Sequence, residues 1–155
     1  MSRLRDQTSV ACPFPEAQSR LEAFFASLRA KDGVARLRLR VPIKGPADAY
    51  DLSIDRAVRV EAQRARDEEN LNDLIRIAWQ PEGTTVFPCF EGTLVVWGGD
   101  DPNRSSIELD GSYSPPFGAA GQLFDASIGR QIANATARAL LRDLKDAIEQ
   151  RAPRR

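Results

Sequence analysis

The segment Glu91-Gly92-Thr93-Leu94-Val95-Val96-Trp97, the turn Gly98-Gly99-Asp100-Asp101-Pro102-Asn103 and the segment Ser106-Ile107-Glu108-Leu109-Asp110-Gly111-Ser112-Tyr113 decide the fold. Side chains alternate across a strand, so each segment puts one set of residues on one face. Gly92, Leu94 and Val96 share a face in the first. Ile107, Leu109, Gly111 and Tyr113 share a face in the second, with Glu108 and Asp110 outward. The glycines and aspartates between them are hairpin chemistry. Pro115-Pro116, Gly118 and Gly121 then lead into a run with a helical period: Leu123, Phe124, Ile128, Ile132, Thr136, Ala139, Leu140, Leu144, Ala147 and Ile148. The spacing predicts a helix over 120–151, on the order of 45 Å long at 1.5 Å per residue. Pro153 lies beyond its end. Ala126, Gly129, Ala133, Ala135 and Ala139 leave room beside it for close packing on a sheet, or for a cavity.

Upstream segments supply the rest of that sheet. Leu37, Leu39 and Val41 alternate with Arg36, Arg38 and Arg40, giving a strand over 34–41. The three arginines could form an anion patch. A solvated outer face is preferred, because no aromatic residue is interleaved to stack bases. A short extended piece around Tyr50-Asp51-Leu52 precedes a second strand, in which Val58, Val60 and Ala62 alternate with Arg59, Glu61 and Gln63. Asp67-Glu68-Glu69-Asn70 reads as a solvated turn, since adjacent carboxylates on a loop do not by themselves converge on a metal ion. A third strand follows, with Ile75, Ile77 and Trp79 on one face. Pro81-Glu82-Gly83 turns the chain, and the next strand begins near Phe87. Glycine inside a strand marks a bulge, a bend or a close approach, and Gly92 and Gly111 both face inward.

At the other end, Thr8-Ser9-Val10-Ala11-Cys12 reads as a short edge strand stopped by Pro13. Pro15 suits a helix start, and Ala17, Leu21, Phe24, Phe25 and Leu28 give one apolar face, so a helix is expected over 15–31 with Gly33 as its stop. Phe24 and Phe25 are read as core.

The totals exclude several functions. A chain of 155 residues, 42% hydrophobic and 28% charged, is expected to fold as a single domain over 1–155. Its 22 basic and 22 acidic residues balance, so no global field draws it to nucleic acid or an anionic membrane. No apolar run is long enough to span a bilayer, and no signal peptide is evident, which makes the cytoplasm the expected location. Histidine is absent, which removes Ser-His-Asp and Cys-His pairs and histidine-ligated zinc. We expect no metal and no cofactor. Cys12 and Cys89 are read as two buried or half-buried thiols rather than a disulfide.

Gly118-Ala119-Ala120-Gly121 precedes the long helix but lacks both the GxGxxG pattern and the phosphate-loop lysine, so it is read as a helix entry. No pair among Glu91, Asp110 and Asp125 can be assigned to acid–base work. Trp79, Phe90, Tyr113, Phe117 and Phe124 fall on inward faces or at the helix entry. Each alone reads as core. Together they suit a pocket for a small apolar ligand, with the Tyr113 hydroxyl as a polar handle.

The element order is helix, five or more antiparallel strands, then one long helix. That order, with the runs Phe87-Pro88-Cys89-Phe90-Glu91-Gly92-Thr93-Leu94 and Leu109-Asp110-Gly111-Ser112-Tyr113-Ser114-Pro115-Pro116-Phe117-Gly118-Ala119-Ala120-Gly121, resembles the START/Bet v 1-like (SRPBCC) superfamily from about Val10 to Glu149. The resemblance implies an α+β helix-grip fold: a curved antiparallel β-sheet wrapped around a long C-terminal α-helix, with an N-terminal helix and a cavity between sheet and C-terminal helix. It also implies a lipid, polyketide or quinone-like ligand. The single first helix departs from the two short helices usual there, and the superfamily has no universal catalytic residues to carry over. The expected cavity lining is Trp79, Phe90, Gly92, Gly111, Tyr113, Phe117, Phe124 and Ile128. Two other readings stand beside ligand binding. One is a polyketide cyclase/aromatase-type enzyme with Tyr113 or an inward carboxylate moving protons. The other is a protein-interaction module using the Arg36/Arg38/Arg40 face. The expected partner is a small hydrophobic molecule rather than nucleic acid, bound to a monomer or homodimer.

Overall fold

A computed structural model describes residues 2–29, 34–44, 51–69, 72–82, 89–114 and 126–150. Its elements in chain order are β1 (Ser2–Val10), α1 (Phe14–Ser27), β2 (Ala35–Lys44), β3 (Asp51–Arg66), β4 (Asp73–Pro81), β5 (Cys89–Gly98), β6 (Ser105–Ser114) and α2 (Ala126–Ile148). The strands form one antiparallel sheet in the order β1-β6-β5-β4-β3-β2. The first strand thus closes against the last, and β1 and β2 are the two edges.

The N-terminal strand is longer than the expected Thr8–Cys12 piece. It spans nine residues and pairs along its length with β6, from Ser2↔Tyr113 to Val10↔Ser105. Its alternation is hidden by charge: Leu4 and Val10 are buried, while Arg3 and Arg5 pair with Asp110 and Glu108 of β6 on the outer face. Each is a diagonal pair, two residues off the directly opposed one, and opposite charges within that reach favour the register. Tyr50 lies outside the described residues, but from Asp51 the expected short piece and the strand over 58–63 are one strand, β3, held by β2 on one side and β4 on the other. Helix α1 begins one residue before Pro15 and is described to Ser27, capped by Leu28, so it ends before the expected 31. The long helix is described over Ala126–Ile148. Residues 120–125 and 151 of the expected helix, Gly33, and the Gly118–Gly121 entry lie outside the described residues.

The core lies inside the curve of the sheet. Leu94, Ile107, Leu109, Leu140, Leu144 and Ile148 are fully buried, joining β5 and β6 to α2. From α1, Ala17, Leu21 and Phe25 add their buried face, and Phe24 packs edge-on against Phe25 with ring centroids 5.4 Å apart. Arg20 donates to the Ile148 carbonyl, Glu149 accepts from the Ala11 amide, and Lys145 donates to the Ser9 carbonyl. The first supplies a donor to one of the last carbonyls of α2, and the other two tie its C-terminal side chains to the backbone after β1 and at its end. The thiols differ from the expectation: both are free, but only Cys12 is buried, and Cys89 is exposed because it lies on the outward face next to inward Phe90. No described helix is long and apolar enough to cross a membrane.

Candidate functional site

Register places the aromatic residues side by side. Val60 pairs with Trp79, Trp79 with Phe90, and Phe90 with Tyr113. Directly opposed residues of an antiparallel pair share a face. The four therefore form one row across β3, β4, β5 and β6 on the concave side, and all four are buried. Trp79 and Phe90 stack, with centroids 4.2 Å apart and planes 17° from parallel. Such a pair is worth about 0.5–1.5 kcal/mol beyond the area it buries.

The next row holds the glycines. Ile77 pairs with Gly92, Gly92 with Gly111, and Gly111 with Leu4. The register from Cys89↔Ser114 to Gly98↔Ser105 runs through this pair without a break, so neither glycine marks a bulge. Close approach is the reason for both. A Cβ on Gly92 would lie 2.3 Å from the Asp110 carbonyl oxygen and 2.7 Å from Gly111 Cα, and one on Gly111 would lie 2.3 Å from the Glu91 oxygen and 2.6 Å from Gly92 Cα. The tip of the Phe90 ring, its Cζ atom, would be 2.7 and 2.6 Å from those two Cβ positions. Phe90 therefore lies down along the sheet over both glycines. The space the glycines free is filled by Phe90, whose own position is what allows Trp79 to stack.

Helix α2 faces this row from a particular direction. It packs on β1 and β2, the two edge strands, and touches β6 beside β1. The helix spans the curve from rim to rim. Buried Ala133, Ala137 and Ala139 are small side chains on it. Beside the row, a groove of about 540 Å³ opens between α1 and the sheet, with Phe25, Val60 and Ile75 at its floor and Glu22, Arg29, Arg59, Glu61 and Arg64 around it. It lies where β3 continues past the end of β2 at the Ala35↔Val60 pair.

Of the expected lining residues, the structure brings Trp79, Phe90, Gly92, Gly111 and Tyr113 together on two adjacent rows. Phe117 and Phe124 lie outside the described residues, and only the backbone of Ile128 is described, within α2. The sequence reading missed Val60 as the neighbour of Trp79. The strand alternation gave its face, but not its register with β4. The arginine face is partly engaged: Arg36 pairs with Glu82 at 2.7 Å. Among the described residues no group of three or more Cys, Asp and Glu side chains could hold a metal ion. Asp143 on α2 is a half-buried carboxyl. Burial pushes it above the usual carboxylate range, Arg142 pulls it back and Asp146 adds to the rise.

No family model matches the chain, and no curated protein does. Solved structures do. An aromatase/cyclase from Streptomyces sp. R1128 superposes with a TM-score of 0.56 at 14% identity, covering 96% of this chain and 92% of that one. A protein of Thermus thermophilus gives a TM-score of 0.52 at 14% identity over 98% and 100% of the two chains. A START superfamily protein from Mycobacterium smegmatis gives 0.51 at 12% identity over 97% and 99%. The chain has the helix-grip fold of the START/Bet v 1-like superfamily. The six-stranded sheet with its two edges bridged by α2 is the grip, and these helix-grip structures match it over nearly their whole length. At such identities the likeness establishes architecture and carries no residue roles.

Proposed function

We propose that this helix-grip protein binds one small hydrophobic molecule in the space between the middle of its sheet and α2. One observation carries the reading: α2 rests on the two edge strands, and the strands between them carry a row of inward aromatic side chains. A helix seated on the rims leaves an interior whose filling depends on side chains or on a ligand. Trp79, Phe90 and Tyr113 offer the apolar walls such sites use, with few polar groups to orient the occupant. Gly92 and Gly111 support the site by letting Phe90 lie flat. The ligand class is a lipid, a polyketide or a quinone-like molecule, and the place of action is the cytoplasm.

Native mass spectrometry of the protein purified from its own host tests the reading. A single additional mass of a few hundred daltons, released by organic solvent, is expected. Apo protein throughout, together with a crystal structure in which that interior is packed solid, would overturn it.

A further inference from the structure

The Trp79 side chain is 1% exposed, yet its indole Nε1–H has no hydrogen-bond acceptor among the described residues. Such a group is rare. Buried N–H donors are nearly always paired, because burial forfeits their bonds to water. The neighbours explain why none is at hand. Phe90, across the strand pair, stacks on the indole with planes 17° apart, and an indole N–H lies in its own ring plane. The donor therefore runs parallel to the Phe90 ring and cannot point into its π face. Val60, the cross-strand neighbour on the other side, brings only methyl groups. Valine, phenylalanine and tyrosine side chains make up the rest of the row, and only the tyrosine carries an oxygen.

We propose that the Trp79 indole N–H is the specificity-determining donor of the site, and that the bound molecule presents a carbonyl-type oxygen to it. The inference rests on the cavity reading above and narrows its ligand class. A hydrocarbon or a plain acyl tail leaves the donor unpaired. A ketone, quinone or other oxygenated polycyclic molecule pairs it. Discrimination by a buried donor is large because the wrong ligand leaves that donor stranded. Trp79 acts here in binding, and no bond is made or broken.

Fluorene and fluorenone test this, since they share a skeleton and differ by one carbonyl. Both are titrated into the intact protein, with binding read by calorimetry and by the indole proton resonance of Trp79. That resonance is assigned against the other tryptophan by Trp97→Phe, a change at an exposed outer position. Fluorenone is expected to bind at least about tenfold more tightly than fluorene, equivalent to about 1.4 kcal/mol, and to move the Trp79 indole proton downfield. In Trp79→Phe, which keeps an aromatic ring against Phe90, the ratio should fall to near one. The wild-type comparison stands even where that variant folds poorly. Equal affinities of the two probes for wild type, or an unmoved indole proton at saturation with fluorenone, overturn the assignment of Trp79 while leaving the cavity reading intact. Failure of both probes to bind overturns both.

Discussion

Replacing Gly92 by alanine probes the construction of the site at its tightest point. The new Cβ would lie 2.3 Å from the Asp110 carbonyl oxygen, 2.7 Å from Gly111 Cα and 2.7 Å from the Phe90 ring. Only the last of these can move by a side-chain rotation. The first two are backbone, so β5 and β6 must part locally, and Phe90 must lift from the glycines and disturb its stack on Trp79. Forcing one methyl into a packed interior costs about 1–3 kcal/mol, and a clash with fixed backbone belongs at the upper end. For a chain of this size about 3 kcal/mol lowers the melting temperature by roughly 6–12 °C. Thermal and urea unfolding followed by circular dichroism measure it, with Gly99→Ala as the control, because a Cβ there has nothing within 4 Å. Adding Phe90→Ala to Gly92→Ala removes the ring contact but neither backbone contact, so it should not restore stability. A loss below about 0.5 kcal/mol for Gly92→Ala, within the ordinary range of surface changes, would refute the close approach and with it the account of how Phe90 is seated.

Asp143→Asn should raise the melting temperature at pH 7. The native carboxyl sits above its usual range through burial, so the stability that goes with its protonated form is full below the unfolded pKa and is lost as pH rises through the folded one. The gain should therefore vanish in acid, and a pH series of melts checks the sign. Asp110 is the opposite case: the hydrogen bond from Arg3 holds it below the usual carboxylate range. Its contribution is present above the unfolded pKa and is lost as pH falls through the lowered one, so Asp110→Asn should cost a little stability at pH 7 and nothing in strong acid. Leu140→Ala, at a fully buried α2 position, should cost about 2–5 kcal/mol in urea unfolding.

How much of this is legible in the sequence depends on how each residue is buried. The strict alternation of Ser106–Tyr113 and the helical period of 132–148 each record a single core-facing side, so the hairpin and α2 can be read directly. Strand β1 reads short because its outward residues, Arg3 and Arg5, find their partners more than a hundred positions away on β6. Nothing local in Ser2–Gln7 announces that pairing. The paired glycines are recognisable as special, but a bulge and a close approach leave the same trace in one sequence, and only the Gly92↔Gly111 register separates them. The inward faces of Trp79, Phe90 and Tyr113 follow from strand period. Their alignment in one row does not, because register is a property of two strands. The unpaired indole is further still from the sequence, since it depends on what every neighbour lacks.

A bound hydrophobic molecule is expected to sit between the aromatic row and α2. Intermolecular nuclear Overhauser effects from bound fluorenone to the protein test it most directly. Contacts to the side chains of Trp79, Phe90 and Tyr113 together are expected. Contacts confined to the exposed aromatic residues Phe14 and Trp97, or none at saturating probe, would contradict it.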